Sequence, residues 1–267
     1  MLTRTEGIVL RTRKYGEADL IVTYLTSDKG IINAFARSPR KTKSRFGSSL
    51  EPLTHAIISL WGKEQSLPKI TQADILNPFQ SIREDYNDFV QVSKLIEIIM
   101  SLTPPGIPID RLFSFLLNIL SAVQSSEQES REALHLISRI RVLAMIGYAP
   151  RLKGCGKCGA ESLDFYPDSG TTLCPRCAVV PDRAGKPFMR INNKVIHFYS
   201  HSIEWPIGIS NRLKPSPQTL TELSGLLDRH LTHLLSKKLH SSEFLPVSGY
   251  TKQGRRRGSV RETGGRV

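Results

Sequence analysis

The sequence predicts an α+β protein of more than one domain, with a small closed β-barrel first, helices next and a cysteine-rich element among the helices. Three observations lead to this fold class. Five strand patterns lie within the first 80 residues, apolar residues recur at helical spacing from Ser81 onward, and all four cysteines lie within residues 154–177. The change from a period of two to a period of 3.6 marks the boundary between barrel and helices.

The first 78 residues read as short strands with no helical pattern among them. A turn sequence, SDKG, separates the second strand from the third and predicts a hairpin. Five strands in fewer than 80 residues fit a small closed barrel, for which the five-stranded OB-fold is the commonest candidate. The strand segments are GIVLRTR, LIVTYLT, GIINAFAR, LTHAIISLW and LPKITQADIL.

From Ser81 the apolar positions are three or four residues apart, as on one face of a helix. The third of these segments ends at Gly147 and Pro150, and Ser216-Pro217 is a start signal for a last helix. The predicted helical segments cover Tyr86–Ile99, Leu112–Val123, Leu134–Ala144, Val195–Ile203 and Leu220–Leu234. Glu84, Asp85 and Asp88 stand at the start of the first long helix, where acidic side chains interact favourably with the positive end of the helix dipole. We prefer this interpretation of the three residues to a metal site.

These patterns divide the chain into three parts. We expect an OB-fold nucleic-acid-binding domain at residues 1–79 and a helical domain at residues 80–248. The cysteine element lies within the helical domain, at residues 150–182. Residues 249–267 are rich in Gly and Arg with one aromatic side chain, and their composition predicts a basic disordered tail.

The net charge of +13 is concentrated at the two ends of the chain. Residues 1–48 hold ten Lys or Arg and four Asp or Glu, and residues 249–267 hold six and one. A polyanionic partner, most simply nucleic acid, explains this segregation better than a solvated surface with a charged tail. No apolar run approaches the roughly 20 residues of a membrane-spanning helix, and charges interrupt the N-terminus too often for a signal peptide. We expect a cytoplasmic protein without membrane association.

The cysteines have the spacing C-x2-C-x15-C-x2-C, formed by Cys155, Cys158, Cys174 and Cys177. Two residues between cysteines let both thiolates bind one ion, and four thiolates complete a closed tetrahedral zinc shell. We therefore predict one structural zinc ion per chain. An iron–sulfur cluster, a redox pair and unmetallated thiols remain as alternatives.

A run of cations, RSPRKTKSR, lies between the third and fourth predicted strands, at residues 37–45. Its charges and hydroxyl groups suit phosphate binding, although a solvated turn is the simpler alternative. Tyr15 and Phe46 have rings that stack on bases in some proteins, but we favour packing in the core or at its edge for both.

Signatures of catalysis do not appear. The sequence has no G-x-x-x-x-G-K-[ST], H-E-x-x-H, G-x-S-x-G or G-x-G-x-x-G motif. His197 with His201, and His230 with His233, have helical spacing but no surrounding motif, so we interpret them as surface or core residues. We expect a protein that is not an enzyme.

Three segments carry a resemblance to a known family. They are TEGIVLRTRKYGEADLIVTYLTSDKGI, ARSPRKTKSRFGSSLEPL, and the cysteine pairs followed by a last helix. Through about Leu245 the chain resembles the bacterial RecO family of DNA repair proteins. The resemblance implies an OB domain, a helical domain, a zinc element and a recombination mediator. Such mediators bind single- and double-stranded DNA, anneal complementary strands, and act with RecR and single-stranded-DNA-binding protein to load RecA.

The resemblance also implies DNA contacts at named positions. The loop supplies Arg37, Arg40, Lys41, Lys43 and Arg45, and the end of the first strand supplies Arg11, Arg13 and Lys14. The helical domain is the expected surface for the acidic tail of single-stranded-DNA-binding protein. Two rival functions stay open, a zinc-ribbon nucleic-acid binder of transcription or ribosome assembly and a metal-dependent nuclease.

Overall fold

A computed structural model describes residues 1–39, 46–62, 66–178, 187–206, 214–236, 239 and 241. The predicted loop positions Arg40, Lys41, Lys43 and Arg45, the end of the predicted cysteine element and the tail lie outside the described residues. The strands are β1 (Leu2–Tyr15), β2 (Asp19–Thr26), β3 (Gly30–Ala36), β4 (His55–Trp61), β5 (Lys69–Asn77), β6 (Asp164–Tyr166), β7 (Thr171–Thr172) and β8 (Met189–Arg190). The helices are α1 (Gln80–Glu84), α2 (Tyr86–Leu102), α3 (Leu112–Ser125), α4 (Gln128–Met145), α5 (Pro175–Ala178), α6 (Asn193–Glu204) and α7 (Pro217–Leu235).

The first five strands form a closed barrel in the order β1-β2-β3-β5-β4, which confirms the predicted fold class. Strand β1 pairs with two strands: its first half pairs with β4 and its second half with β2. Closure comes from a parallel pairing of Phe35 with Lys69. A register shift between Val9 and Arg11 bends β1 where it changes partner.

The turn between β2 and β3 depends on Gly30. This residue has a φ of +63°, and a Cβ atom there would lie 2.4 Å from the carbonyl oxygen of Ile107. The glycine therefore lets the hairpin approach the loop that joins α2 to α3. The amide of Gly106 donates to the carbonyl of Ile31 at 2.8 Å and fixes that approach.

Helices α2, α3 and α7 begin where the sequence predicts, whereas α4 begins at Gln128, six residues before the predicted start at Leu134. Asp85 caps α2 by accepting from the amide of Asp88 at 3.0 Å, and Ser216 caps α7 with Pro217 in its first turn. Among the helices that the structure describes, none combines the length and apolarity of a membrane span.

One hydrophobic core joins the barrel to the helices. Ile8, Leu10 and Leu25 of the barrel are buried in the same cluster as Phe79 and Leu112. A separate cluster fills the barrel interior around Val22 and Tyr24. Burial of apolar surface drives such packing, so this shared core joins the barrel directly to the helices.

Two networks of buried charges tie the helices together, and sequence reasoning missed both. Asp88 has a side chain only 3% exposed, and it contacts Arg131 at 2.6 Å and His135 at 2.8 Å. Burial alone would raise the pKa of Asp88, but hydrogen bonds and charge from His135 and Arg131 lower it. The acidic residues before and within α2 thus divide their roles, since Asp85 caps the helix and Asp88 pairs with α4.

The second network joins α2, α4 and α7. Lys94 and Arg139 are almost fully buried, and both contact the same carboxylate oxygen of Asp228, at 2.5 and 2.9 Å. The guanidinium of Arg139 also donates to the hydroxyl of Ser224 at 3.0 Å. Burial, followed by repulsion from Arg139, lowers the pKa of Lys94. Two buried cations therefore share one carboxylate oxygen.

Candidate metal centre and nucleic-acid face

The four cysteines converge on one point. Their Sγ atoms all lie within 4.8 Å of one another, and those of Cys158 and Cys174 are 3.6 Å apart. Four bonds of about 2.3 Å to a tetrahedral zinc ion put the sulfur atoms about 3.8 Å apart. No disulfide links them. The donor set therefore fits one metal ion bound by four thiolates, with no coordination position left for a substrate.

Two backbone turns bring the ligands together. In the first, the amide of Gly159 donates to the carbonyl of Cys155 at 2.9 Å, and the amide of Cys155 donates to Ala160 at 2.7 Å. In the second, the amide of Cys177 donates to Cys174 at 2.9 Å. A Cβ atom at Gly156 would lie 2.4 Å from Oγ1 of Thr171, so the first turn packs directly against β7.

The thiols have different proton affinities because they share hydrogen bonds. Backbone hydrogen bonds, first from Cys174 and then from Cys158, lower the pKa of Cys155 to about 6. Hydrogen bonds to Cys158 and Cys174 raise the pKa of Cys177 to about 12. These hydrogen bonds thus favour the thiolate form of Cys155 and the protonated form of Cys177. A cation bound among the four sulfur atoms displaces such protons.

The cysteine element packs onto the helical domain. Strands β7, β6 and β8 form its small sheet, and Phe165 of β6 is fully buried in the main core. The ring of Phe165 contacts that of His230 on α7 edge-on, with centroids 6.1 Å apart. His230 donates to the carbonyl of Tyr148 at 2.9 Å, and burial lowers its pKa. This position indicates that a metal ion would stabilise the contact between the element and α7.

Among the residues that the structure describes, the histidine pairs of α6 and α7 belong to no metal-binding cluster. His233 is exposed on α7, whereas His230 is buried beneath it. On α6 the rings of His197 and His201 are 6.2 Å apart, and His201 stacks on Trp205 at 4.1 Å. The interpretation of these residues as surface or core side chains agrees with their burial.

The barrel presents cations and aromatic rings on one outer face. Arg11 pairs with Thr23 across β1 and β2, and Arg13 pairs with Ile21. Ile21 in turn pairs with Phe35 of β3, so Arg13 and Phe35 lie in one row across three strands. Both arginines are exposed. We call Arg11, Arg13, Tyr15 and Phe35 the outer barrel face.

The aromatic part of this face consists of two rings in contact. Tyr15 is 57% exposed, and its ring meets that of Phe35 edge-on at 5.9 Å between centroids. Sequence reasoning did not include Phe35. The period of two along a strand was the available signal, because it places Phe35 on the same face of β3 as the polar Asn33.

Lys14 and Arg37, the other predicted DNA contacts that the structure describes, lie at different places on the barrel. Lys14 pairs with Leu20 on β2, and this register places it on the opposite face of the strand from Arg13. Arg37 is exposed just beyond β3, and the next residue, Ser38, donates its amide to Asp19 at 2.7 Å. The basic loop therefore begins beside the outer barrel face.

The residue that follows the basic loop, Phe46, is buried in the barrel interior. Phe46 is 4% exposed and belongs to the interior cluster, so the preference for packing over base stacking holds for this residue. The carbonyl of Phe46 accepts from the amide of Ser49 at 2.9 Å. The described residues on both sides of the cationic run, Ser38 and Phe46, are thus attached to the barrel.

The class of protein is defined by its fold and site. A closed OB-type barrel is fused to helices through a common core, and a four-cysteine element that could hold a metal ion packs onto those helices. Profiles of two families match nearly the whole chain. "Recombination protein O N terminal" matches residues 1–79, and "Recombination protein O C terminal" matches residues 83–243. The chain belongs to the RecO family of DNA repair and recombination proteins.

Individual relatives agree with the family profiles. A DNA repair protein RecO from Thermodesulfovibrio yellowstonii is 40% identical over 233 residues, which cover 86% of this chain and 92% of the relative. A protein of the same name from a Nocardioides species is 39% identical over 67% of this chain and 75% of its own length. Another from a Roseiflexus species is 32% identical over 91% of this chain and 84% of its own length.

Proposed function

We propose that this protein is a DNA-binding recombination mediator. It binds single- and double-stranded DNA, anneals complementary strands and, together with RecR, helps to load RecA on DNA coated by single-stranded-DNA-binding protein. One observation carries the proposal. Two exposed arginines and two aromatic rings share the outer barrel face, and the cationic segment at 37–45 begins beside them.

The chemistry of the outer barrel face suits sequence-independent binding. Arg11 and Arg13 stand two residues apart on β1, about 7 Å along the strand, and their guanidinium groups donate to phosphate oxygens. Tyr15 offers an exposed ring on which any base stacks. None of these contacts distinguishes one base from another, and annealing requires this property because every sequence must be accepted.

The basic loop would extend this surface. Arg37, Arg40, Lys41, Lys43 and Arg45 add five cations, each of which neutralises one phosphate if it reaches the backbone. Lys14 lies on the opposite face of β1 from Arg13 and belongs to the proposed surface only if DNA wraps around the end of that strand.

The metal centre has a structural role in this proposal. One zinc ion bound by Cys155, Cys158, Cys174 and Cys177 would hold the small sheet against α7, and a closed shell leaves no position for substrate. We accordingly propose a protein that is not an enzyme. Incubation with labelled DNA in magnesium tests for nuclease activity, and loss of full-length strands would contradict the proposal.

The proposed organisation follows the sequence. Residues 1–79 bind DNA, residues 80–248 form the helical domain with the zinc element at 150–182, and residues 249–267 act as a basic tail. The helical domain is the proposed surface for the acidic tail of single-stranded-DNA-binding protein. The four unbridged thiols suit the reducing cytoplasm, where the protein would associate with the nucleoid through DNA.

Replacing Arg11 and Arg13 together with alanine is expected to weaken single-stranded DNA binding and flatten its salt dependence. Each phosphate contact contributes about 0.7 to the slope of log affinity against log salt concentration. The double variant should therefore lose about 1.4 from the slope, equally for all sequences. Fluorescence anisotropy with labelled oligonucleotides over a range of salt concentrations measures this slope.

Arg4 supplies the matched control. It lies on the same strand and is exposed, but it forms an ion pair with Asp74 at 3.8 Å near the other end of β1. Arg4→Ala should leave the slope nearly unchanged. If the double variant kept the wild-type slope, or if Arg4→Ala reduced it equally, the outer barrel face would not be the DNA-binding surface.

A further inference from the structure

A cleft of about 470 Å³ lies between the barrel and α2. Proteins bind small apolar groups in cavities of roughly this size, about 300–1,000 Å³. Its described walls are mainly apolar, with Arg11 at the barrel side and Glu97 at the helix side. The lining residues include Leu10, Leu53, Phe89, Ile96 and Met100.

The chain reaches the wall of this cleft after α7. Leu239 is 3% exposed and belongs to the main core. Two residues later, the amide and the hydroxyl of Ser241 both donate to Oε2 of Glu97, at 3.0 and 2.8 Å. Glu97 is itself a lining residue, so Ser241 lies at the edge of the cleft.

The residues that follow Ser241 have the composition of a docking segment. Residues 242–247 read SEFLPV, with four apolar side chains among six. The tail beyond residue 248 contains no comparable apolar run. Six extended residues span at most about 20 Å, which is enough to cross a cleft of this volume.

We propose that residues 242–247 dock in the cleft between β1 and α2, with Phe244 and Leu245 as the apolar anchors. The occupant is thus part of the same chain. Docking would fix the start of the basic tail beside Arg11. Arg255 follows Val247 by eight residues, at most about 28 Å of extended chain, so the tail would bring its arginines to the outer barrel face. The docking itself does not depend on the proposed DNA binding.

Methionine methyl NMR tests the docking without reference to function. The chain has four methionines, and Met100 lines the cleft, whereas Met145 and Met189 lie elsewhere in the structure. With ¹³C-methyl labelling, Met100→Leu identifies the Met100 signal. A chain ending at Ser241 should show a shifted Met100 signal and unchanged Met145 and Met189 signals. A chain ending at Ser248, which loses only the tail, should match the full-length protein.

A pair of point variants in the full-length chain repeats the test without truncation. Leu245→Asp should shift the Met100 signal, and Val260→Asp, within the tail, should not. If the full-length chain, the chain ending at Ser241 and Leu245→Asp all gave the same Met100 signal, the proposal would be overturned. A Met100 signal that is unchanged by Leu245→Asp but shifts on addition of an oligonucleotide would also overturn the proposal, and would assign the cleft to nucleic acid.

Discussion

Cys174→Ala is expected to lower the thermal stability and solubility of the protein much more than its intrinsic affinity for DNA. Structural zinc contributes on the order of 10 kcal/mol to the folding of small zinc fingers. In this chain the element also packs through Phe165 into the main core, which offsets part of the loss. The outer barrel face shares no ligand with the cysteine cluster, so DNA affinity should change little.

Elemental analysis and thermal unfolding measure both parts of this expectation. The wild-type protein should contain one zinc ion per chain, and Cys174→Ala should lose it together with its thermal stability. Glu161→Ala is the matched control, because Glu161 is exposed in the same element and offers no ligand to the cluster. Iron with a visible absorption band, absence of metal from the wild-type protein, or an unchanged melting temperature in Cys174→Ala would contradict the zinc assignment.

Asp228→Asn is expected to reduce the free energy of unfolding by about 3 kcal/mol. Removing one partner from a buried ion pair costs roughly 3–5 kcal/mol, since the remaining charge stays buried without compensation. Here Lys94 and Arg139 are both almost fully buried against Asp228. The carboxylate itself is 41% exposed, so the lower end of the range applies. Chemical denaturation measures the difference.

The lowered pKa of Lys94 determines the direction in which the free energy of unfolding changes with pH. Burial lowers the pKa of Lys94 in the folded protein, so the unfolded chain binds more protons at the pH values between the folded pKa and about 10.4. Stability therefore rises with pH through that window. Without the Asp228 charge the window should widen downward, and the variant should regain part of its lost stability as the pH rises toward about 10.4.

Asp110→Asn controls for the loss of a surface charge. Asp110 is 92% exposed beside Arg111, and exposed pairs contribute about 0–1 kcal/mol. A destabilisation by Asp228→Asn no greater than that of Asp110→Asn would mean that Lys94 and Arg139 do not depend on the carboxylate. A loss that did not change with pH would contradict the role of Lys94.

Local patterns carried most of the fold prediction. Short apolar segments separated by turn residues predicted all five barrel strands. The spacing of leucines and isoleucines predicted the long helices, and Ser216-Pro217 predicted the start of α7. The cysteine spacing predicted the convergence of four thiols, since each C-x2-C turn is a local structure and only the meeting of two turns requires the fold.

Features that depend on distant contacts were not predictable from one sequence. Lys94 meets Asp228 across 134 residues and Asp88 meets His135 across 47, so no spacing rule connects them. Nothing local distinguished Asp88 as a buried ion-pair partner from Asp85 as a helix cap. The full length of β1 was also underestimated, because its exposed ends carry the charged residues that strand patterns usually lack.

At the candidate DNA-binding surface, too, the sequence predicted local features and missed those that depend on distant contacts. The sequence indicated the cations but not their faces, because pairing register decides which side chains point outward. Register places Arg13 with Phe35 and leaves Lys14 on the opposite side. The shared core between barrel and helices, through residues such as Leu10 and Phe79, likewise appears only once the two parts are packed.

Annealing of complementary strands coated with the cognate single-stranded-DNA-binding protein tests the central claim most directly. The wild-type protein should accelerate annealing, RecR should modulate the rate, and Arg11→Ala with Arg13→Ala should slow it for every sequence while Arg4→Ala does not. No acceleration with or without RecR would contradict the mediator function, and equal rates for wild type and the double variant would contradict the outer barrel face as the DNA-binding surface.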